Sequence, residues 1–121
     1  MNLSRINNFI FRITPLDKML FTKHLSVMLK SGIPLDEAVS SIRDQTKNPN
    51  FKEVLSDLVK ELENGQSFEK SLSRHPKVFD KLYLSLVAVG EKSGKLEENL
   101  EYLAGQLRKT YEFNKKVSGA M

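Results

Sequence analysis

Few residues in this chain could do acid–base, metal or phosphate chemistry, and none of them converge at a useful spacing. His24 lies among charged residues on a helix face, and His75 stands beside Pro76 at a helix end. Neither has a second histidine or a carboxylate at the i, i+3 or i+4 spacing of a helical metal pair, so both read as ordinary surface histidines. Glu97, Glu98 and Glu101 form an acidic cluster in the first turns of a helix. Acids there complement the helix dipole, and no glycine-anchored loop stands behind them to complete a divalent-ion site. No serine has a Gly-x-Ser-x-Gly context. The stretch Gly90 to Gly94 follows helix, not strand, and runs into Lys95-Leu96, so it is no phosphate loop. With no cysteine, disulfides and thiolate metal sites are excluded. The expectation is a protein without catalytic residues, metal or cofactor.

The remaining chemistry is that of charge. The net charge is +4 and the sequence pI about 9.3, a mild excess that an acidic partner, a membrane surface or nucleic acid could each use. Nucleic-acid binding needs basic residues gathered on one element. Here lysines alternate with acids along most helices and no aromatic platform interleaves them, so nucleic acid is not an expected partner. The exception is the C-terminal stretch, where Arg108, Lys109, Lys115 and Lys116 face one acid, Glu112. Such a cluster is what the positive-inside rule places on the cytoplasmic flank of a membrane entry, and it would be drawn to an anionic lipid surface. A dipole-complementing helix end is the other reading. The membrane reading expects the native gene to continue past Met121 into a span of roughly 20 apolar residues.

The elements that must position these groups are helical. At 121 residues, 40% hydrophobic and 28% charged, the chain has the length and composition of one globular domain. Thr14-Pro15-Leu16-Asp17 reads as an N-cap, a proline at N1 and an acid at N3. The helix it opens carries two apolar stripes, Leu16, Leu20 and Val27 on one side and Phe21, Leu25, Met28 and Leu29 on another. Such a helix is either central in a bundle or shared with a partner. The broader second stripe is expected inside, and Leu16, Leu20 and Val27 are candidates for the interface of a homodimer. Leu35, Ala38, Val39 and Ile42 mark a second helix after Pro34. Asn48-Pro49 opens a third with the face Phe51, Val54, Leu55, Leu58, Val59 and Leu62. A short fourth begins at the Ser67 cap. Phe79, Leu82, Tyr83, Leu86 and Val87 are expected on the fifth, and Leu96, Leu100, Leu103, Ala104, Leu107 and Tyr111 on the sixth.

Gly32, Gly65 and Gly94 punctuate the ends of apolar helices, each followed by a short link that folds the next helix back. Gly90 is different. It lies inside a helical pattern, where glycine costs roughly 1 kcal/mol against alanine, so close approach by another backbone is the expected compensation. The fold class expected is all-α, a six-helix bundle of antiparallel helical hairpins. Residues 14–117 make the domain, residues 1–13 a basic amphipathic leader, and residues 118–121 the start of a membrane-proximal segment. The leader could lie on a membrane surface, cover the bundle as a flap, or be a partly ordered tail.

Four blocks in this order carry a resemblance: Phe21-Thr-Lys-His-Leu25, Leu29-Lys-Ser-Gly-Ile-Pro-Leu35, Gly65-Gln-Ser-Phe-Glu-Lys-Ser-Leu72 and Gly90-Glu-Lys-Ser-Gly-Lys-Leu96. Together they resemble the cytoplasmic F domain of GspF/PilC platform proteins of type II secretion and type IV pilus assembly. Lys23 and His24 stand where that family usually has Arg-Gln. The resemblance covers about Thr14 to Met121 and brings Glu91 and Leu96 into the hinge motif beside Gly90 and Gly94. It implies a six-helix bundle on the cytoplasmic side of the bacterial inner membrane, within a non-enzymatic platform. It further implies, as partners, a hexameric assembly ATPase and other inner-membrane assembly proteins, the ATPase acting on the platform to move pilin or pseudopilin subunits. On the residues alone, a soluble helical adaptor and a nucleic-acid-binding helical domain stay open as alternatives.

Overall fold

The structure is a computed structural model and describes residues 12–119. Among these residues it is all-α: six helices, no strand. In chain order they are α1 (Pro15–Lys30), α2 (Leu35–Gln45), α3 (Pro49–Glu63), α4 (Phe68–Leu72), α5 (Lys81–Ser93) and α6 (Leu96–Gly119). Each helix packs on the next, and α6 returns along α1 in the most extensive contact of all, closing the series into a ring.

Local chemistry sets the starts. The Thr14 hydroxyl accepts the Asp17 N–H at 3.1 Å while the Asp17 carboxylate accepts the Thr14 N–H at 3.0 Å, a reciprocal capping box. Asn48 caps α3 through its Oδ1, and its Nδ2 donates to the Arg12 carbonyl at 2.9 Å and to Asp17 at 3.2 Å. One side chain thereby ties the start of α3 to the start of α1. Three helices end alike: Ile33, Gln66 and Lys95 donate backbone N–H groups to Met28, Glu61 and Gly90 across glycines at positive φ. At Gly94 φ is +73°, a conformation that costs glycine no Cβ clash.

The fifth helix departs from expectation. Asp80 caps it by accepting the Tyr83 N–H at 2.9 Å, so α5 begins at Lys81 and Phe79 lies outside it. Phe79 still reaches the core, from the turn whose N–H bonds to the His75 carbonyl. Leu82, expected on the core face, is instead 58% exposed.

The core fills the ring. Phe21 meets Phe51 edge-on at 5.7 Å and Phe79 at 6.2 Å, and Phe79 lies 5.0 Å from Tyr83. This aromatic run joins α3, α1 and α5, each contact adding roughly 0.5–1.5 kcal/mol beyond burial. Two polar residues of α1 are buried within it. Thr22 donates its hydroxyl proton to the Lys18 carbonyl at 2.7 Å, so the 2.8 Å contact with Tyr83 must be donated by the phenol. Burial pushes the Tyr83 phenol above its ordinary pKa. Ser26 donates to the Glu97 carbonyl at 3.0 Å, fixing the start of α6 against α1.

Candidate interaction surfaces

The hinge between α5 and α6 is where two of the sequence blocks meet. A Cβ on Gly90 would stand 2.8 Å from the Leu96 Cα and 3.2 Å from the Leu96 nitrogen, so only glycine permits this approach of α6. Asn99 holds the same contact from the other side, donating its amide to the Leu86 carbonyl at 2.8 Å. The next residue faces another way. The Glu91 carboxylate accepts the backbone N–H of Phe68 at 2.6 Å and of Glu69 at 3.0 Å. Ser67 caps the Lys70 N–H of α4, and Glu91 takes the two donors that Ser67 leaves. Adjacent residues therefore do separate work: Gly90 admits α6, and Glu91 grips α4. Neither Glu91's partners nor Asn99 could be read from the chain. The only local signal was a short helix whose first N–H groups lack a nearby acceptor.

On α1 the two stripes separate cleanly. Phe21 and Leu25 are buried, while Leu16, Leu20 and Val27 are 36%, 39% and 54% exposed. Beside the exposed stripe runs a groove of about 480 Å³ between α1 and α6, lined by Met19, Leu20, Lys23, Gly105, Arg108 and Tyr111 among others. A Cβ on Gly105 would meet nothing within 4 Å, so the α6 backbone is open on that side. Val89 on α5 and Tyr102 on α6 are further exposed large side chains that the sequence did not single out, and Leu82 on α5 joins them.

The two histidines differ. His24 is exposed, as expected. His75 is not an ordinary surface histidine: its Nε2 lies 2.6 Å from the Asp57 carboxylate, with its side chain 20% exposed. Arg74 grips the same carboxylate through Nε at 3.0 Å and Nη2 at 3.2 Å. Asp57 is 18 residues away on α3, whereas His75 lies in the α4–α5 turn, outside any single-helix spacing test. The cluster borders a cavity of about 610 Å³, and among the described residues its lining contains no hydroxyl, thiol or amine nucleophile. Its work is to fasten the α4–α5 turn to α3.

That cluster makes stability depend on acid. Arg74, and after it His75, hold the Asp57 carboxyl below the usual carboxylate range, against the opposing effect of burial. A carboxyl depressed by folding contributes stability above its unfolded pKa of about 3.9, and loses it as pH falls through the folded value. Asp57→Asn is expected to lower the urea midpoint at pH 7 and to flatten its fall below about pH 4. Parallel acid dependence in variant and wild type would refute this.

The acidic cluster is dispersed. Glu101 pairs with Lys30, Glu97 is half-buried, and Glu98 is exposed. Among the described residues no group of three or more His, Cys, Asp or Glu side chains could hold a metal ion. At the far end of α6, Arg108 pairs with Glu112 at 3.1 Å, while Lys109, Lys115 and Lys116 are exposed. Phe113 and Val117 are 65% and 50% exposed on the same stretch. No helix among the described residues is long and apolar enough to cross a membrane. Of the leader, residues 1–11 lie outside the described residues, and Ile13 packs against the core. Of residues 118–121, the first two continue α6 and the last two lie outside the described residues.

Residues 21–121 match the family described as type II secretion system (T2SS), protein F. The chain is 38% identical over 105 residues to the type IV pilus assembly protein PilC of Myxococcus xanthus, covering 87% of this chain and 25% of that protein. It is 34% identical over 110 residues to the type IV pilus assembly protein PilC of Pseudomonas aeruginosa, covering 91% and 29%. It is 34% identical over 120 residues to the type II secretion system protein F of Vibrio cholerae, covering 98% and 30%. The aligned region thus spans between a quarter and a third of each of these relatives.

Proposed function

The chain belongs to the type II secretion system protein F family, and on that premise we propose that it is a cytoplasmic, non-enzymatic domain of an inner-membrane platform protein. In this reading a hexameric assembly ATPase acts on the domain, which passes the motion to pilin or pseudopilin subunits in pilus assembly or secretion. The observation that carries it is the construction of α6. The helix is held at its start by Gly90, Asn99 and Ser26, lies along α1, and has residues 112–117 exposed. A helix of 24 residues is roughly 36 Å long, and α1, at 16 residues, roughly 24 Å. A displacement of the bundle is therefore delivered to the end of α6 by a stiff element. The cations Arg108, Lys109, Lys115 and Lys116 suit that end to an anionic membrane surface.

The test is binding of the 121-residue chain to a purified hexameric assembly ATPase from the same organism, followed by fluorescence anisotropy with and without nucleotide. Saturable, nucleotide-sensitive binding is expected, and its absence in every nucleotide state would overturn the coupling role. The homodimer is proposed through the exposed stripe of α1. Leu20→Glu would place a charge in a two-fold contact and is expected to give a monomer by sedimentation equilibrium at high micromolar concentration. A wild-type chain that is itself monomeric there would remove this interface.

A further inference from the structure

We propose that the cavity at the start of α1 binds the phosphate of an anionic phospholipid headgroup, held by Arg12, Lys18 and Lys77. The cavity measures about 250 Å³ and lies between the entry to α1, the turn before α5 and the middle of α6. Among the described residues its lining includes those three cations with Ile13, Val78 and Leu107, and no carboxylate. None of the three cations forms an ion pair among the described residues.

The acids nearby are already engaged. Asp80 attracts Lys18, but its carboxylate accepts the Tyr83 N–H as the cap of α5. Asp17 accepts the Thr14 N–H and the Asn48 amide. Lys18 is half-buried, with its ammonium 5.5 Å from the centre of the Tyr83 ring, and this burial lowers its pKa more than Asp80 raises it. Three like charges around one concavity, one of them short of water and offset only in part by Asp80, favour the entry of an anion. A phosphate bears the charge and the acceptor oxygens that such donors recognise.

The surroundings choose a lipid over a free anion. Leu107 lines the cavity, and six residues further along the same helix Phe113 stands exposed, followed by Val117 one turn on. Residues at i and i+4 share a helix face. Two apolar side chains among Lys109, Lys115 and Lys116 make the pattern of a helix that enters the bilayer interface. Six residues of helix rise roughly 9 Å. With α6 steep to the surface and Phe113 at the acyl boundary, the cavity sits at the level of the headgroup phosphates. The inference rests on the membrane-facing end of α6 proposed above, but its test uses no ATPase, so each can fail without the other.

The experiment is co-sedimentation of the 121-residue chain with vesicles of phosphatidylcholine alone or containing phosphatidylglycerol, at fixed ionic strength. Binding only to the anionic vesicles is expected. Lys77→Glu and Arg12→Glu, both at exposed side chains, are expected to weaken it by roughly tenfold or more each. Lys92→Glu makes the same charge change at the opposite end of the bundle and is expected to cost less than twofold. Circular dichroism melts establish that all three variants are folded. Equal losses in the three variants would reduce the effect to net charge and overturn the site. So would failure to bind anionic vesicles, or displacement by glycerol 3-phosphate or inorganic phosphate at the concentration of accessible lipid.

Discussion

Gly90→Ala is expected to destabilise the domain by about 1–3 kcal/mol, although alanine is the better helix former. The new methyl carbon would stand 2.8 Å from the Leu96 Cα, and what it meets is backbone, not a side chain that can swing away. Relief requires α6 to retreat from α5, which also stretches the Asn99–Leu86 bond. The gain of roughly 1 kcal/mol in helix propensity is smaller than the overpacking cost. Gly105→Ala is the internal control. It is the same chemical change in α6, where a Cβ meets nothing, and is expected to stabilise by roughly 0.5–1 kcal/mol. Urea unfolding of the two variants should move the midpoint in opposite directions. A Gly90→Ala midpoint at or above wild type would sink the close-packing account.

The second large effect is expected at Glu91. Glu91→Ala removes the acceptor for the Phe68 and Glu69 N–H groups together, and Phe68 is fully buried. Hydrogen bonds to a charged partner contribute roughly 1.5–3 kcal/mol each, and partial access of water at a half-buried site reduces that, so a loss of about 2–3 kcal/mol is expected. Glu91→Gln keeps one carbonyl oxygen and should lose less. The distinguishing measurement is amide hydrogen exchange: Phe68 and Glu69 should exchange faster in the alanine variant while the middle of α3 keeps its protection. Unchanged exchange at both amides would show that Glu91 does not hold α4.

What could be read from the sequence was whatever neighbours along the chain decide. The Thr14, Asn48 and Ser67 caps each act within three residues. The α3 face was legible because Phe51, Leu55, Leu58 and Val59 recur at helical spacing and are all buried. The same rule misplaced Phe79, since periodicity carries no marker for the first residue of a helix and Asp80 supplies that marker; Leu82 lies on α5 as expected but faces outward. The contacts between helices were out of reach. Glu91 reaches donors 22 and 23 residues back, and His75 meets Asp57 across 18. For Gly90 the sequence posed a cost without naming its compensation, which is the backbone of Leu96.

The closing of the ring by α6 on α1 has a mechanical consequence. Arg12 and Thr14, where the described chain enters, share one cavity with Leu107, and α6 leaves the bundle at that same end. Load applied between entry and exit would therefore separate two antiparallel helices from one pole, breaking their contacts turn by turn instead of shearing all of them at once. The Asn48 bonds to Arg12 and Asp17 are the first to oppose that peeling, and Ser26, near the opposite pole, is among the last. A push delivered to the side of the bundle meets the whole core at once. Such a domain yields readily to a pull between its own ends and resists compression from a neighbour.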